Sequence, residues 1–420
     1  MPSWLAMYAG AVAVLASFFV LIALWPKPRL GAPGAGRPLP WLERLANSVA
    51  VRTVLRAAGL TMLAIFLVTA WIGPDDGGRS NPVPYWIYVW FWVGLVPLSL
   101  LFGPIWRRLN PLRTLAGLVR SAVRNRVLPL PDRLGYWPAV LGLFAFVWME
   151  LIDDKAASPR TIAIFVTGYA VLHIIAGVVF GPEWFARGDA FEVYSWMVSR
   201  ASPLGRRADG RLVLRNPLDG LAATPAKPDL TPVVMVVLGS TAFDGLSRTA
   251  AWSDVVADTG RAAYLSLGTA GLVAAIAVVA GTYNAAIWLT RRFVGSDRNV
   301  RAELAHGIIP IAIGYTVAHY FSFAMFEGQQ GILLANDPLA RGWDLLGLST
   351  ATIDYALMAP WGIALIQVAA IVVGHIVAVT AAHDRSVGML PRRSARRGQY
   401  PMLVVMVCYT ITGIALISGS

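Results

Sequence analysis

Residues 4–25 read WLAMYAGAVAVLASFFVLIALW, an unbroken apolar run with Trp4 and Trp25 at its two ends. About 20 such residues cross the hydrocarbon core of a bilayer, and Trp is favoured at both of its interfaces. The run is too long for the apolar core of a signal peptide, and no basic residue precedes it, so it is expected to be a retained membrane helix. Runs of the same kind recur near 54–73, 85–106, 136–152, 161–181, 231–247, 263–289, 304–326, 356–380 and 400–418. No stretch between them is long enough for a soluble domain. Hydrophobic residues make up 57% of the chain and charged residues only 14%, against about 25% charged in soluble proteins. The expected fold is all-α: one integral membrane domain over 1–420, a polytopic transmembrane bundle with one or two interfacial amphipathic helices.

The net charge of +12 suggests nucleic-acid binding until the charges are placed. They fall in bursts between the apolar runs, the pattern of topology signals, and no nucleic-acid partner is expected. With the loop after the first run set inside, the inside segments 26–53, 107–135, 182–230, 290–303 and 381–400, together with Arg56, hold 29 of the 35 Lys and Arg. Only Arg79, Lys155, Arg160, Arg248, Arg261 and Arg341 fall outside. Acidic residues divide almost evenly, and it is the basic ones that set orientation. The expectation is a multi-pass protein of the plasma membrane with those five loops cytoplasmic and both termini outside. The lipid bilayer is its first partner. Cys408 is the only cysteine, which excludes an intramolecular disulfide and any multi-cysteine metal site.

An internal echo marks the first half. Phe102-Gly103-Pro104-Ile105-Trp106 ends the third run, and Phe180-Gly181-Pro182-Glu183-Trp184 ends the fifth, 78 residues later. Each is followed by a helix-start signal, Asn110-Pro111 and Gly188-Asp189. From Pro111, Leu112, Leu115, Val119, Ala122 and Val123 recur at helical spacing while Arg113, Arg120 and Arg124 face elsewhere, which predicts an interfacial helix over 111–125. Phe191, Tyr194 and Val198 suggest a shorter counterpart. In the loop 182–230, Arg211-Leu212-Val213-Leu214-Arg215 and the turn-rich Asn216-Pro217-Leu218-Asp219-Gly220 suggest a small β-turn or hairpin.

Hydrolase, nucleotide-binding and metalloprotease signatures are absent from the sequence. What stands out is ionisable residues in or beside apolar runs, where an isolated charge costs several kcal/mol. Glu150, Asp153 and Asp154 are spaced to share one helix face, as a cation or proton site or, for the two aspartates, as ordinary loop residues. Asp244 and Arg248 are spaced to pair along the sixth run, with Gly245 as a point where that helix could break. Tyr315 and His319 form another i, i+4 pair, and Glu327, Gln329 and Gln330 follow. His173, His306 and His375 also fall in apolar runs, whereas His383 stands among basic residues and is expected to be solvated. The candidate catalytic residues are His319, Asp244 and Glu327, and the candidate substrate-binding residues are Arg248, Glu150 and Tyr315. His319, Asp244 and Arg248 are expected to line one polar cavity, with Glu150 and Glu327 near its mouth.

The string Gly181-Pro182-Glu183-Trp184-Phe185-Ala186-Arg187-Gly188-Asp189-Ala190-Phe191-Glu192-Val193-Tyr194-Ser195, with Phe243-Asp244-Gly245-Leu246-Ser247-Arg248-Thr249, resembles a family of polytopic membrane proteins of high-GC Gram-positive bacteria often named fenitrothion hydrolase. The excess of 32 Arg over three Lys suits a GC-rich genome. The resemblance implies hydrolysis of an organophosphorus ester, a small-molecule substrate and, by analogy with phosphotriesterases, a divalent metal. It carries no catalytic residues with it. Beside it stand two further readings from the residues alone: a transporter or permease, and a non-catalytic subunit of a membrane complex.

Overall fold

The computed structural model describes residues 2–123, 126–293, 299–390 and 396–418. Among them ten helices are long and apolar enough to cross a membrane: Ser3–Leu24, Val49–Ile72, Val83–Phe102, Asp132–Leu151, Pro159–Phe180, Pro228–Ser247, Arg261–Arg291, Val300–Ala335, Pro360–Met389 and Arg397–Ser418. These are the first to tenth spans below. Large apolar side chains such as Phe19, Met62, Leu141, Leu172 and Val278 point outward, the inverse of a water-soluble core and the surface that lipid requires. The protein is an all-α, multi-pass membrane protein. Its helix starts follow local chemistry: Ser48 accepts from the Val51 amide at 3.2 Å. Ser158 accepts from the Thr161 amide, also at 3.2 Å, with Pro159 at the first helical position, where no amide proton is needed.

Two spans are irregular. The third widens into a π-helix over Trp86–Val93, closed by the Gly94 amide bonding back to the Val89 carbonyl at 3.0 Å. The eighth is a short helix Val300–Leu304, a tight 3₁₀ turn Ala305–Ile308 and a long helix Ile309–Ala335. Pro310 stands at its start, where a missing N–H costs nothing.

The chain forms two compact units. The first comprises Met1–Gly36, Arg215–Phe321 and Met358–Ser420. Here the first span packs on the ninth and tenth, and the sixth on the seventh and tenth. The eighth and ninth cross where Gly314 meets Gly374: a Cβ on Gly374 would lie 2.7 Å from the Pro310 carbonyl oxygen. The ninth span runs to Met389, nine residues past the expected end at 380, so much of the expected 381–400 loop is helix. The reason is tertiary. Asp384 accepts from Trp25 Nε1 at 2.8 Å and from the Arg29 amide at 2.6 Å, which ties the chain after the first span to the last turns of the ninth. His383, expected to be solvated, is buried there instead, 2.8 Å from Gln399 Oε1 and 3.0 Å from the Trp25 carbonyl.

The second unit comprises Arg37–Leu214 and Ser322–Leu357. Its spans are the second to fifth, and it includes the last turns of the eighth. Strands β1 (Arg37–Pro38), β2 (Leu204–Arg206) and β3 (Leu212–Leu214) form an antiparallel sheet in the order β1-β3-β2. The expected hairpin thus exists, but its partner strand precedes Arg211. The turn-rich Asn216–Gly220 stretch, already part of the first unit, opens a helix, Pro217–Ala222, with Asn216 accepting from the Leu218 amide at 3.0 Å.

The echo proves structural. Gly103 (φ 75°, ψ −156°) and Gly181 (φ 69°, ψ −157°) end their helices in the same conformation, one open to glycine and strained for other residues. Helix Pro111–Val123 follows the first and helix Ala190–Val198 the second. The 111–123 helix buries Leu112 and Ala116 against the fifth span and leaves Leu118, Val119 and Val123 exposed, so it is bound to a neighbouring helix as well as amphipathic. Arg124 and residue 125 of the expected helix lie outside the described residues. The shorter counterpart is not interfacial. Phe191, Tyr194 and Val198 are each under 10% exposed, because this helix is enclosed by the third and fourth spans and by its neighbours Trp106–Leu109 and Pro182–Arg187.

Candidate functional site

Asp244 lies in helix Thr231–Ser247 and is 3% exposed. That helix continues through Gly245 to Ser247, so the expected break at Gly245 does not occur. One turn on, Arg248 returns its Nε to Asp244 Oδ1 at 3.1 Å. The other carboxylate oxygen, Oδ2, is 2.7 Å from His319 Nε2 on the eighth span. Two ionisable residues 75 positions apart in sequence are therefore in direct contact. The pairing follows from burial: a carboxylate inside an apolar bundle is tolerated only with charge and hydrogen-bond partners. The partners differ in setting. The His319 side chain is 5% exposed and that of Arg248 51%.

Aromatic rings fix the imidazole. Tyr315, one turn earlier, stacks on it with centroids 6.0 Å apart and planes 10° apart, and Tyr320 meets it edge-on at 4.9 Å. Tyr315 is slotted between two glycines. A Cβ on Gly245 would lie 2.8 Å from its hydroxyl, and one on Gly413 3.1 Å from its ring. The Tyr315 hydroxyl is buried without a hydrogen-bond partner among the described residues, an unsatisfied state that costs about 1–3 kcal/mol unless water or a ligand relieves it. His319 Nδ1 likewise has no hydrogen-bond partner among the described residues. With Nε2 held by the carboxylate, Nδ1 is the nitrogen left to take or give a proton.

In the first unit, then, four sequence candidates come together: Asp244, Arg248, Tyr315 and His319. Glu150 and Glu327 belong to the second unit. Glu150 stands in the last turn of the fourth span, near Tyr88, whose hydroxyl donates to the Ala156 carbonyl at 2.9 Å. The helix ends at Leu151, so Asp153 and Asp154 do not share its face. Asp153 instead accepts from the Lys155 amide at 3.0 Å in the following turn. Beyond Glu327, Gln329 bonds both the amide and the carbonyl of Asp354, at 2.9 and 3.2 Å, fastening the segment that follows the eighth span.

A divalent metal does not fit the described residues. Among the described residues no three His, Cys, Asp or Glu converge on a point where they could hold one. The other histidines have structural partners: His173 Nδ1 accepts from Trp184 Nε1 at 3.0 Å, while His306 and His375 bond backbone carbonyls of their own helical segments at 2.8 and 2.9 Å.

A second polar cluster, missed in the sequence, holds the echo together. Asn110 accepts at Oδ1 from the Leu112 and Arg113 amides, and Asp189 at Oδ1 from the Phe191 and Glu192 amides. The two caps bond each other, Asn110 Nδ2 donating to Asp189 Oδ2 at 2.6 Å. Three residues on in each repeat, Arg113 grips Glu192 bidentately at 2.5 and 2.9 Å. Tyr169 adds a donor to Asp189 at 2.9 Å. Burial pushes the Asp189 and Glu192 carboxyls above their ordinary range despite these bonds. The available signal was the recurrence of a cap and a charge at matching positions, with opposite character in the two segments.

No protein-family model matches the chain, and neither a curated protein nor a solved structure does.

Proposed function

We propose that the protein is a transporter of a small molecule whose cycle is coupled to protonation of the Asp244–His319 pair. The observation that carries this reading is the 2.7 Å carboxylate–imidazole contact, with both side chains about 5% exposed or less, inside membrane-crossing helices. Intramembrane acid–histidine pairs are proton-handling devices by their chemistry, because loading a proton changes the charge of a buried group. The tight turn Ala305–Ile308 that interrupts the eighth span supplies a discontinuity of the kind on which transporters commonly build a site. The uneven division of basic residues supports an orientation in the plasma membrane with both termini outside, and the Asp244 end of the sixth span then faces outward.

Hydrolysis, which the resemblance to fenitrothion hydrolases implies, is the second reading. It is favoured by one feature: a carboxylate that orients an imidazole and leaves Nδ1 open is a general-base arrangement able to activate water without a metal. Proteoliposomes separate the two with fenitrothion as the probe. A transporter accumulates the intact ester under an acid-outside gradient, and Asp244→Asn abolishes this accumulation. Release of the free phenol, without dependence on the gradient and lost in His319→Ala, would replace the transport reading with hydrolysis.

A further inference from the structure

The second unit contains a cavity of about 350 Å³, inside the range of roughly 300–1,000 Å³ typical of small-molecule sites. Its walls come from the second, third and fifth spans and from the turn Trp106–Leu109. They are almost wholly apolar, with Tyr169 and Asp189 the polar exceptions, both engaged with each other. The π-helix Trp86–Val93 shapes one wall, presenting Trp86, Ile87, Trp90 and Phe91. Several lining residues, Met62, Ile65, Trp90 and Leu98, are at the same time exposed on the outer surface. The cavity therefore opens sideways onto the surface that faces lipid.

Beside it lies a concentration of positive charge. Arg107 and Arg108 sit on the turn whose Trp106 and Leu109 line the cavity. Arg52 and Arg56 precede Gly59, another lining residue, on the second span, and Gly59 abuts the Leu109 carbonyl so closely that a Cβ would overlap it. The Arg108 guanidinium is crowded by Arg206, Arg52 and Arg107; burial first, then these like charges, lower its pKa. Arg108 donates to the Ala46 carbonyl and Arg206 to Asn47 Oδ1 and the Gly210 carbonyl, all neutral acceptors. No carboxylate lies within ion-pair distance of Arg52, Arg108 or Arg206 among the described residues, and Arg107 reaches Glu192 only at 3.9 Å. Four guanidiniums in one place repel unless an anion joins them.

We propose that this unit binds an anionic phospholipid, its phosphate held by Arg52, Arg107, Arg108 and Arg206 and an acyl chain seated in the adjoining cavity. The two halves of the site demand two halves of one ligand: an apolar chain that enters from the bilayer, and a phosphate that planar guanidiniums grip well. A soluble anion satisfies only the arginines, and a neutral lipid only the cavity.

The test uses the full chain, delipidated in detergent, with native mass spectrometry and thermal unfolding as readouts. Short-chain phosphatidylglycerol should remain bound and raise Tm, whereas phosphatidylcholine of equal chain length and glycerol 3-phosphate alone should not. Each basic residue near a lipid surface contributes about fivefold in affinity, so Arg52→Gln with Arg107→Gln should weaken phosphatidylglycerol binding about 25-fold. Leu98→Trp, which narrows the lateral opening, should weaken it with every arginine in place. Equal binding of phosphatidylcholine, an equal shift with glycerol 3-phosphate, or unchanged binding in either variant would overturn the proposal. If the arginine variant does not fold, wild-type protein decides: phosphatidylglycerol binding that ignores a rise from about 0.05 to about 0.5 M salt is incompatible with a guanidinium-held phosphate.

Discussion

Replacing Asp244 by Leu tests whether the Asp244–His319 contact is a mutually compensating pair. The carboxylate serves two donors of unequal weight. The Arg248 side chain is about half exposed, so water takes over when the partner goes, and its loss costs about 0–1 kcal/mol. His319 is enclosed. Its Nε2 loses the Asp244 acceptor, and a buried donor left unsatisfied costs about 1–3 kcal/mol. Asp244→Leu should therefore destabilise by about 2–3 kcal/mol, most of it through His319. Adding His319→Phe replaces the second polar group by an apolar one of similar shape and should return about 1–2 kcal/mol. Adding Arg248→Gln instead should return less than about 0.5 kcal/mol. Unfolding of each variant in mixed micelles, followed by far-ultraviolet circular dichroism, gives the cycle. Additivity of Asp244→Leu and His319→Phe within about 0.5 kcal/mol would refute the pairing, and rescue by Arg248→Gln rather than His319→Phe would assign the energy to the wrong partner.

Three further outcomes follow from the packing and the charge pattern. Arg113→Ala strands the buried Glu192 and should cost about 3–5 kcal/mol, with Arg113→Ala/Glu192→Gln recovering part of it; equal loss in both would show that the pair is not compensating. Asp189 and Glu192 have folded pKa values above their unfolded ones, so their contribution is greatest below the unfolded carboxylate pKa and falls as pH rises toward the folded values. Asp189→Asn should therefore gain stability relative to wild type between about pH 4 and neutrality, and a pH-independent difference between the two proteins would contradict this. Asp209→Cys on a Cys408→Ser background should resist an impermeant thiol reagent in intact cells and react once the cells are opened; labelling of intact cells would invert the proposed orientation.

The spans were legible because each is a continuous apolar run of membrane-crossing length, a signal that needs no partner. The ninth was cut short for the opposite reason. His383 and Asp384 look like loop residues until the chain after the first span supplies Trp25 and the Arg29 amide, and no local pattern announces those partners. Asp244, Arg248, Tyr315 and His319 were legible as residues, since ionisable and polar groups in apolar runs are conspicuous. That Asp244 meets His319 while Tyr315 rests between Gly245 and Gly413 depends on how the sixth, eighth and tenth spans pack. The face shared by Glu150, Asp153 and Asp154 failed because the helix stops at Leu151, and helix ends are set by a residue or two of capping geometry.

The cluster at Asn110 and Asp189 shows why an internal echo can be structural without being a copy. The two repeats place a cap and, three residues later, a charged side chain at matching positions, and the folded chain brings the matching positions face to face. Identical residues would fail there. Asp against Asp would bury two carboxylates in contact, and Arg against Arg two guanidiniums, each costing several kcal/mol. Asn opposite Asp and Arg opposite Glu turn the same geometry into donor–acceptor and cation–anion pairs, while Asn and Asp each still cap their own helix. The geometry requires opposite partners at equivalent sites, so the two segments differ at the positions where they touch. The glycines at 103 and 181, which meet backbone demands alone, remain the same.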